Sequence, residues 1–132
     1  MKYLIMIYSN PENWDHPVFM QTGEALAMPQ SERDEMMRDD EALMTEIYES
    51  GELLAAAALD EPRTSRTVRV RDRAALATDG PYAESKEHLA GFFIVECDTA
   101  ERAEQIAARF PDARFGAVEV RPIMGAQGMG VA

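Results

Sequence analysis

Two segments of this 132-residue chain are apolar at nearly every position and too short to be anything but strands. Tyr3-Leu4-Ile5-Met6-Ile7-Tyr8 is closed by Ser9-Asn10-Pro11, and Gly91-Phe92-Phe93-Ile94-Val95 runs on to Glu96 and Cys97. Successive strand side chains point to opposite faces, so a strand apolar at both parities is covered on both sides. The N-terminal run falls far short of the ~20 residues of a membrane span and is too short for a signal core. It reads as a buried strand. The chain must therefore build a sheet whose two middle strands meet other layers above and below.

The remaining elements fall around these two. Asn10 to Gln30 carries Pro11, Pro17, Gly23 and Pro29 together with Trp14, Val18, Phe19 and Met20, which predicts a packed excursion rather than a linker. Ser31 is the expected N-cap of a helix with Glu32, Asp34 and Glu35 in its first turn. Met36, Leu43 and Ile47, joined by Met37, Met44 and Tyr48, give that helix its buried stripe, and Gly51 stops it. Leu53 to Leu59 is an Ala-rich strand by context. Thr67-Val68-Arg69-Val70-Arg71 alternates, Asp72-Arg73 turns, and Ala74 to Thr78 returns, a hairpin with one wet face. After the Gly91 strand, Asp98 with Glu101 predicts a capped helix whose stripe is Ala103, Ile106, Ala107 and Phe110, and Pro111 ends it. Val118-Glu119-Val120-Arg121 is the last strand. Residues 1–124 make one domain, and 125–132 form a patternless tail expected to fray.

This order is β-α-β, an inserted hairpin, then β-α-β: a ferredoxin-like split βαβ arrangement of the α+β class. In it the first and third core strands are central, and they are the two apolar on both faces. Two helices cover one face of the sheet. The economical cover for the other is a second copy, face to face in a homodimer.

Charge and cysteine content narrow the partners. The net charge is −11 with a sequence pI near 4.5, which repels phosphate backbones and anionic lipid, so neither nucleic acid nor membrane is expected. The single cysteine, Cys97, staples nothing within the chain and reads as an inert core thiol; the cytoplasm is the expected compartment. Two histidines and one cysteine at no ligand spacing support no metal site. The GxGxxG, Walker and Gly-x-Ser-x-Gly patterns are absent, and no cofactor is implied. From Ser31 to Ser50 eight acids face two arginines, the expected solvated face of the first helix. Arg63, Arg66, Arg69, Arg71 and Arg73 cluster on the hairpin, as a solvated face or as a site for an anionic molecule or an acidic surface.

One segment is distinctive: Asp79-Gly80-Pro81-Tyr82-Ala83-Glu84-Ser85-Lys86-Glu87-His88-Leu89-Ala90-Gly91-Phe92. It resembles the signature of the DGPF group of the YCII-related family, Asp-Gly-Pro-Phe-Ala-Glu-x-Lys-Glu before a Gly-Phe strand, with Tyr82 for the usual Phe. Met1-Lys2-Tyr3, Thr67-Val68-Arg69 and Gly116 to Ile123 are similar to the family's start, hairpin and end, while residues 11–35 find no match. The resemblance implies a dimeric α+β barrel. Part of the wider family is noted for a His–Asp pair in its cleft. His16 lies in the unmatched stretch and His88 in the motif, so neither maps onto that pair.

Two functional readings stay open. In the first, the chain binds a small metabolite, an anion among the candidates, in a barrel cleft, with isomerase- or lyase-like acid–base chemistry. Asp79 would serve as base or anchor, Glu84 as a second carboxylate and Lys86 as charge partner. Tyr8, Tyr82, His88 and Arg69 would surround the substrate. The competing reading of the motif is a plain turn, since Asp, Gly and Pro are standard turn formers. In the second functional reading the protein is a regulatory or protein-binding module. Genes of the family often lie beside alternative sigma factors, which the resemblance extends to this chain as an expectation.

Overall fold

Strand β1 (Lys2–Ser9) pairs antiparallel with β5 (His88–Glu96) on one side and β6 (Ala117–Pro122) on the other, and β2 (Leu53–Ala58) closes the far edge of β5. The computed structural model describes residues 1–82 and 86–125. Its sheet order is β2-β5-β1-β6, so the two doubly apolar strands are the central pair, as their side chains require. This is the split βαβ topology of the α+β class.

Helices α2 (Gln30–Glu49) and α3 (Ala100–Arg109) lie on one face, with the short α1 (Gly23–Leu26) and α4 (Asp112–Phe115) beside them. Tyr3, Ile5 and Ile7 of β1 meet Leu43 and Ile47 of α2 and Ala103, Ile106 and Phe110 from the α3 side in one core. Phe93 of β5 packs on Phe110 with ring centroids 4.6 Å apart. The opposite parity, with Leu4 beside Ile94 and Met6 beside Phe92, forms a face that no helix covers. Leu4, Phe92 and Ile94 are half-buried there by their neighbours alone.

Several local expectations shift. Pro29, not Ser31, occupies the N-cap of α2, so no side chain caps it, and Gln30 instead donates to Asp34 at 2.8 Å. Thr99, not Asp98, caps α3, because Thr99 has the extended backbone a cap needs and its Oγ1 accepts from Arg102 N. Tyr48 leaves the apolar stripe and is 74% exposed, since it lies ~100° round the helix from Ile47 at the centre of the buried arc. Gly51 and Gly80 have φ of 81° and 93°, conformations that favour glycine.

The hairpin of β3 (Arg66–Arg71) and β4 (Ala74–Asp79) forms a two-stranded sheet of its own. Asp72 and Arg73 both take positive φ, as a two-residue turn matched to strand twist demands. Only one face was expected to be wet. Every residue of β4 is exposed, and so are Val68 and Val70, because among the described residues no element covers the hairpin's apolar face. Among the described residues no helix is long and apolar enough to cross a membrane. The tail beyond Gly125 lies outside the described residues.

Candidate functional site

The Ala-rich sequence of β2 has a spatial consequence. Ala56 pairs with Phe93 and Ala58 with Gly91, so both alanines point to the helix side of the sheet. Methyl groups at the sheet edge leave space that larger side chains would fill. A cleft of about 330 Å³ opens there, between β2, β5, α2 and the excursion at residues 16–19. Gly91 lets the strands close up over it, since a Cβ at that position would lie 2.7 Å from the Ala57 carbonyl oxygen.

The walls are apolar, from Ile7, Val18, Phe19, Met44, Phe93 and Phe110. Three titratable groups enter them: His16, Asp40 and Asp112. Asp112 opens α4 directly after Pro111 and is only 8% exposed. Burial pushes its carboxyl up to about 6; a hydrogen bond from its own backbone opposes this, the charge of Asp40 adds a smaller upward push, and His16 lowers it least. Burial likewise raises Asp40, with Glu41 adding to it. Asp40 belongs to the buried arc of α2, four residues after Met36 and four before Met44.

His16 is oriented by the backbone. Its Nε2 lies 2.6 Å from the Leu59 carbonyl oxygen, which also accepts from Trp14 Nε1 at 2.9 Å. A carbonyl only accepts, so Nε2 carries a proton and the neutral ring keeps its lone pair on Nδ1. Leu59 is itself fixed, its N–H donating to Ala90 O at 2.9 Å. An acid held near neutrality and an imidazole with an assigned lone pair thus share one apolar cleft. Such a set can move protons on a small molecule.

The residues singled out in the motif lie elsewhere. Asp79 pairs with Arg66 at 2.6 Å on the hairpin, its side chain 85% exposed, and Lys86 is exposed. Neither lines this cleft, and Glu84 lies outside the described residues. Tyr82 is exposed beneath the Arg69 guanidinium, 5.2 Å from ring centroid to Cζ. Tyr8 is the next-to-last residue of β1, on the parity of Leu4 and Met6 and away from the cleft, and its hydroxyl reaches Met6 Sδ at 3.7 Å. His88 begins β5, which starts three residues earlier than expected, and with Pro81 it lines a separate hollow against residues 59–65. Cys97 is buried, and burial raises its thiol. The turn around Gly80 is built as its residues suggest, with Gly80 N donating to Ser65 O and Thr67 Oγ1 to Gly80 O.

His16, Asp40 and Asp112 were not chosen from sequence. The helical spacing of Asp40 against Met36, Leu43 and Ile47 was the one available signal. Asp112 sat behind a helix-ending proline, and His16 sat in a segment with no pattern.

The chain is similar to known proteins over most of its length. The model of the YCII-related domain matches residues 1–127. An uncharacterized protein of Rhizobium meliloti (strain 1021) is 32% identical over 99 residues, which cover 74% of this chain and 80% of that protein. A solved structure, 5-chloro-2-hydroxyhydroquinone dehydrochlorinase from Burkholderia phenoliruptrix AC1100 in complex with 2,5-dihydroxybenzoquinone, is similar with a TM-score of 0.47. It is 12% identical, and the match covers 96% of this chain and 97% of that one.

Proposed function

The chain belongs to the YCII-related family, and from that premise we propose that it binds a small molecule in the cleft beneath β2 and acts on it by proton transfer. The observation that carries this reading is the convergence of His16, Asp40 and Asp112 on one apolar cavity. His16 Nδ1 takes a proton from the ligand. Asp112, protonated in part near neutral pH, gives one back at a second atom, which is the pattern of an isomerase or lyase. The lining holds two carboxyls and no lysine or arginine, so the favoured ligand is uncharged or cationic rather than anionic. The cavity volume suits a molecule of about one ring.

We further propose that the working form is a homodimer. The face bearing Leu4, Phe92 and Ile94, half-exposed around the buried Met6, is apolar and carries no described helix, and the family resemblance supports a second sheet across it.

The test is a fragment screen divided into anions, neutral compounds and cations, read by thermal shift and by amide chemical-shift changes. Neutral or cationic fragments should stabilise the protein and perturb signals around the cleft. His16→Ala and Asp112→Asn should keep the fold and lose binding, while Asp79→Asn and Lys86→Met should retain it. Fragments that bind both cleft variants as well as the parent would overturn the site.

A further inference from the structure

The β3–β4 hairpin is the part of the molecule that the single chain leaves unsupported. Val68 and Val70 stand on one face with Ala75 and Ala77 directly opposite them, and the two valines are 62% and 59% exposed. A lone two-stranded ribbon is at best marginally stable in water, so an apolar face of this kind needs a surface to rest on. The charges beside it say which surface. Residues 63–73 hold five arginines and one aspartate, on a chain of net charge −11. Arg63 is paired with Glu61 and Arg66 with Asp79, and Arg69 stacks on Tyr82. Arg71 and Arg73, which flank Asp72 at the tip, make no ion pair among the described residues. The densest acidic surface is on α2, where exposed Asp34 and Glu41, seven residues apart, share one face with Arg38 between them, and Glu35 and Glu49 flank that face.

We propose that the hairpin is an arm that docks on a second copy of this chain, its apolar face against that copy and its tip arginines against the acidic face of that copy's α2. The inference rests on the dimer proposed above. Two acidic chains repel except where a basic element of one meets an acidic element of the other, and this sequence supplies both. The same acidity disfavours a nucleic acid as occupant, although the arginines alone would suit one.

Sedimentation of the full chain tests this with charge reversals at both ends. Arg71→Glu with Arg73→Glu, and separately Asp34→Lys with Glu41→Lys, should each weaken self-association about tenfold or more. An equimolar mixture of the two variants should recover parental association, because every arm then faces an oppositely charged helix. The chain carrying all four changes should recover it too. If both variants associate as the parent does, or the mixture stays weak, the arm does not seat on α2 and the inference falls while sheet pairing stands. If the parent itself is a monomer at high micromolar concentration, both readings fall. If Ile94→Lys on the sheet face leaves association unchanged, sheet pairing falls and the arm contact survives alone. Amide exchange at Val68 and Val70 adds an independent reading, since it should be slow in the parent and fast in the tip variant.

Discussion

Asp112 is where this molecule accepts instability for the sake of a chemical group. Its carboxyl ordinarily titrates at 3.8 and is raised to about 6, so the folded chain holds that proton more tightly than the unfolded chain does. The linked stability is fully present below pH 4, declines as pH rises from about 4 to about 6, and stays reduced above. Two units correspond to at most about 3 kcal/mol. Asp112→Asn should therefore be more stable than the parent at pH 8 by about 1–3 kcal/mol and nearly equal to it below pH 4. Urea unfolding at the two pH values checks this, and equal stabilities at pH 8 would remove Asp112 as a strained acid. The residue also shows where sequence reading ran out. Its burial comes from Pro111 turning the chain so that α4 packs on β1, β6 and α3, a tertiary event with no local pattern. Asp40, by contrast, was legible: the spacing that marks Met36, Leu43 and Ile47 as core puts residue 40 on the same arc. Asp40 is therefore not one of the solvated acids of α2.

At the scale of elements, α2, β2 and α3 are tied by Arg102. Its Nε donates to Glu52 at 2.8 Å, and its Nη2 to Glu46 and Glu52 at 2.8 and 2.9 Å. The Arg102 hydrogen bonds hold the Glu52 carboxyl down at about 2 against burial, which opposes them. A lowered carboxyl contributes stability above its ordinary value of 4.5 and loses it as pH falls towards 2. The pair is partly solvated, with 28% of the arginine and 16% of the glutamate side chain exposed, so the contribution is small. Arg102→Met should cost about 1 kcal/mol at pH 7 and almost nothing at pH 2. A cost independent of pH would mean that Arg102 acts through packing instead. The Asp79-Gly80-Pro81 turn is the second element whose role can be tested. No atom lies within 4 Å of where a Gly80 Cβ would sit, so Gly80→Val strains only the backbone at φ 93°. It should destabilise by roughly 1–3 kcal/mol. A variant that melts like the parent would show that the turn does not depend on glycine.

At the scale of the whole molecule, the architecture was legible because burial on both faces is written into the apolar runs at residues 3–8 and 91–95, at the centre of β1 and β5. The split βαβ order and the two glycine turns followed from equally local signals. The cleft was not legible, because it arises where the methyl side chains of β2 pass under α2, and composition cannot distinguish a weak strand from a roofed cavity. Assembly lies between these cases. The face bearing Leu4, Met6, Phe92 and Ile94 calls for cover, and none of the four helices among the described residues supplies it. The expected mass in sedimentation is about twice 14.7 kDa. Salt should then separate the two contacts. Apolar sheet pairing between chains of net −11 should tighten as salt screens their repulsion, whereas an arginine-to-carboxylate arm contact should loosen. The parent should thus depend weakly on salt between 20 and 200 mM, about the range over which the Debye length falls below 10 Å. Arg71→Glu with Arg73→Glu, having lost the loosening contact, should associate distinctly better at the higher salt. A parent and variant with the same salt slope would leave the hairpin without a part in assembly, and Val68 and Val70 without a surface in the dimer.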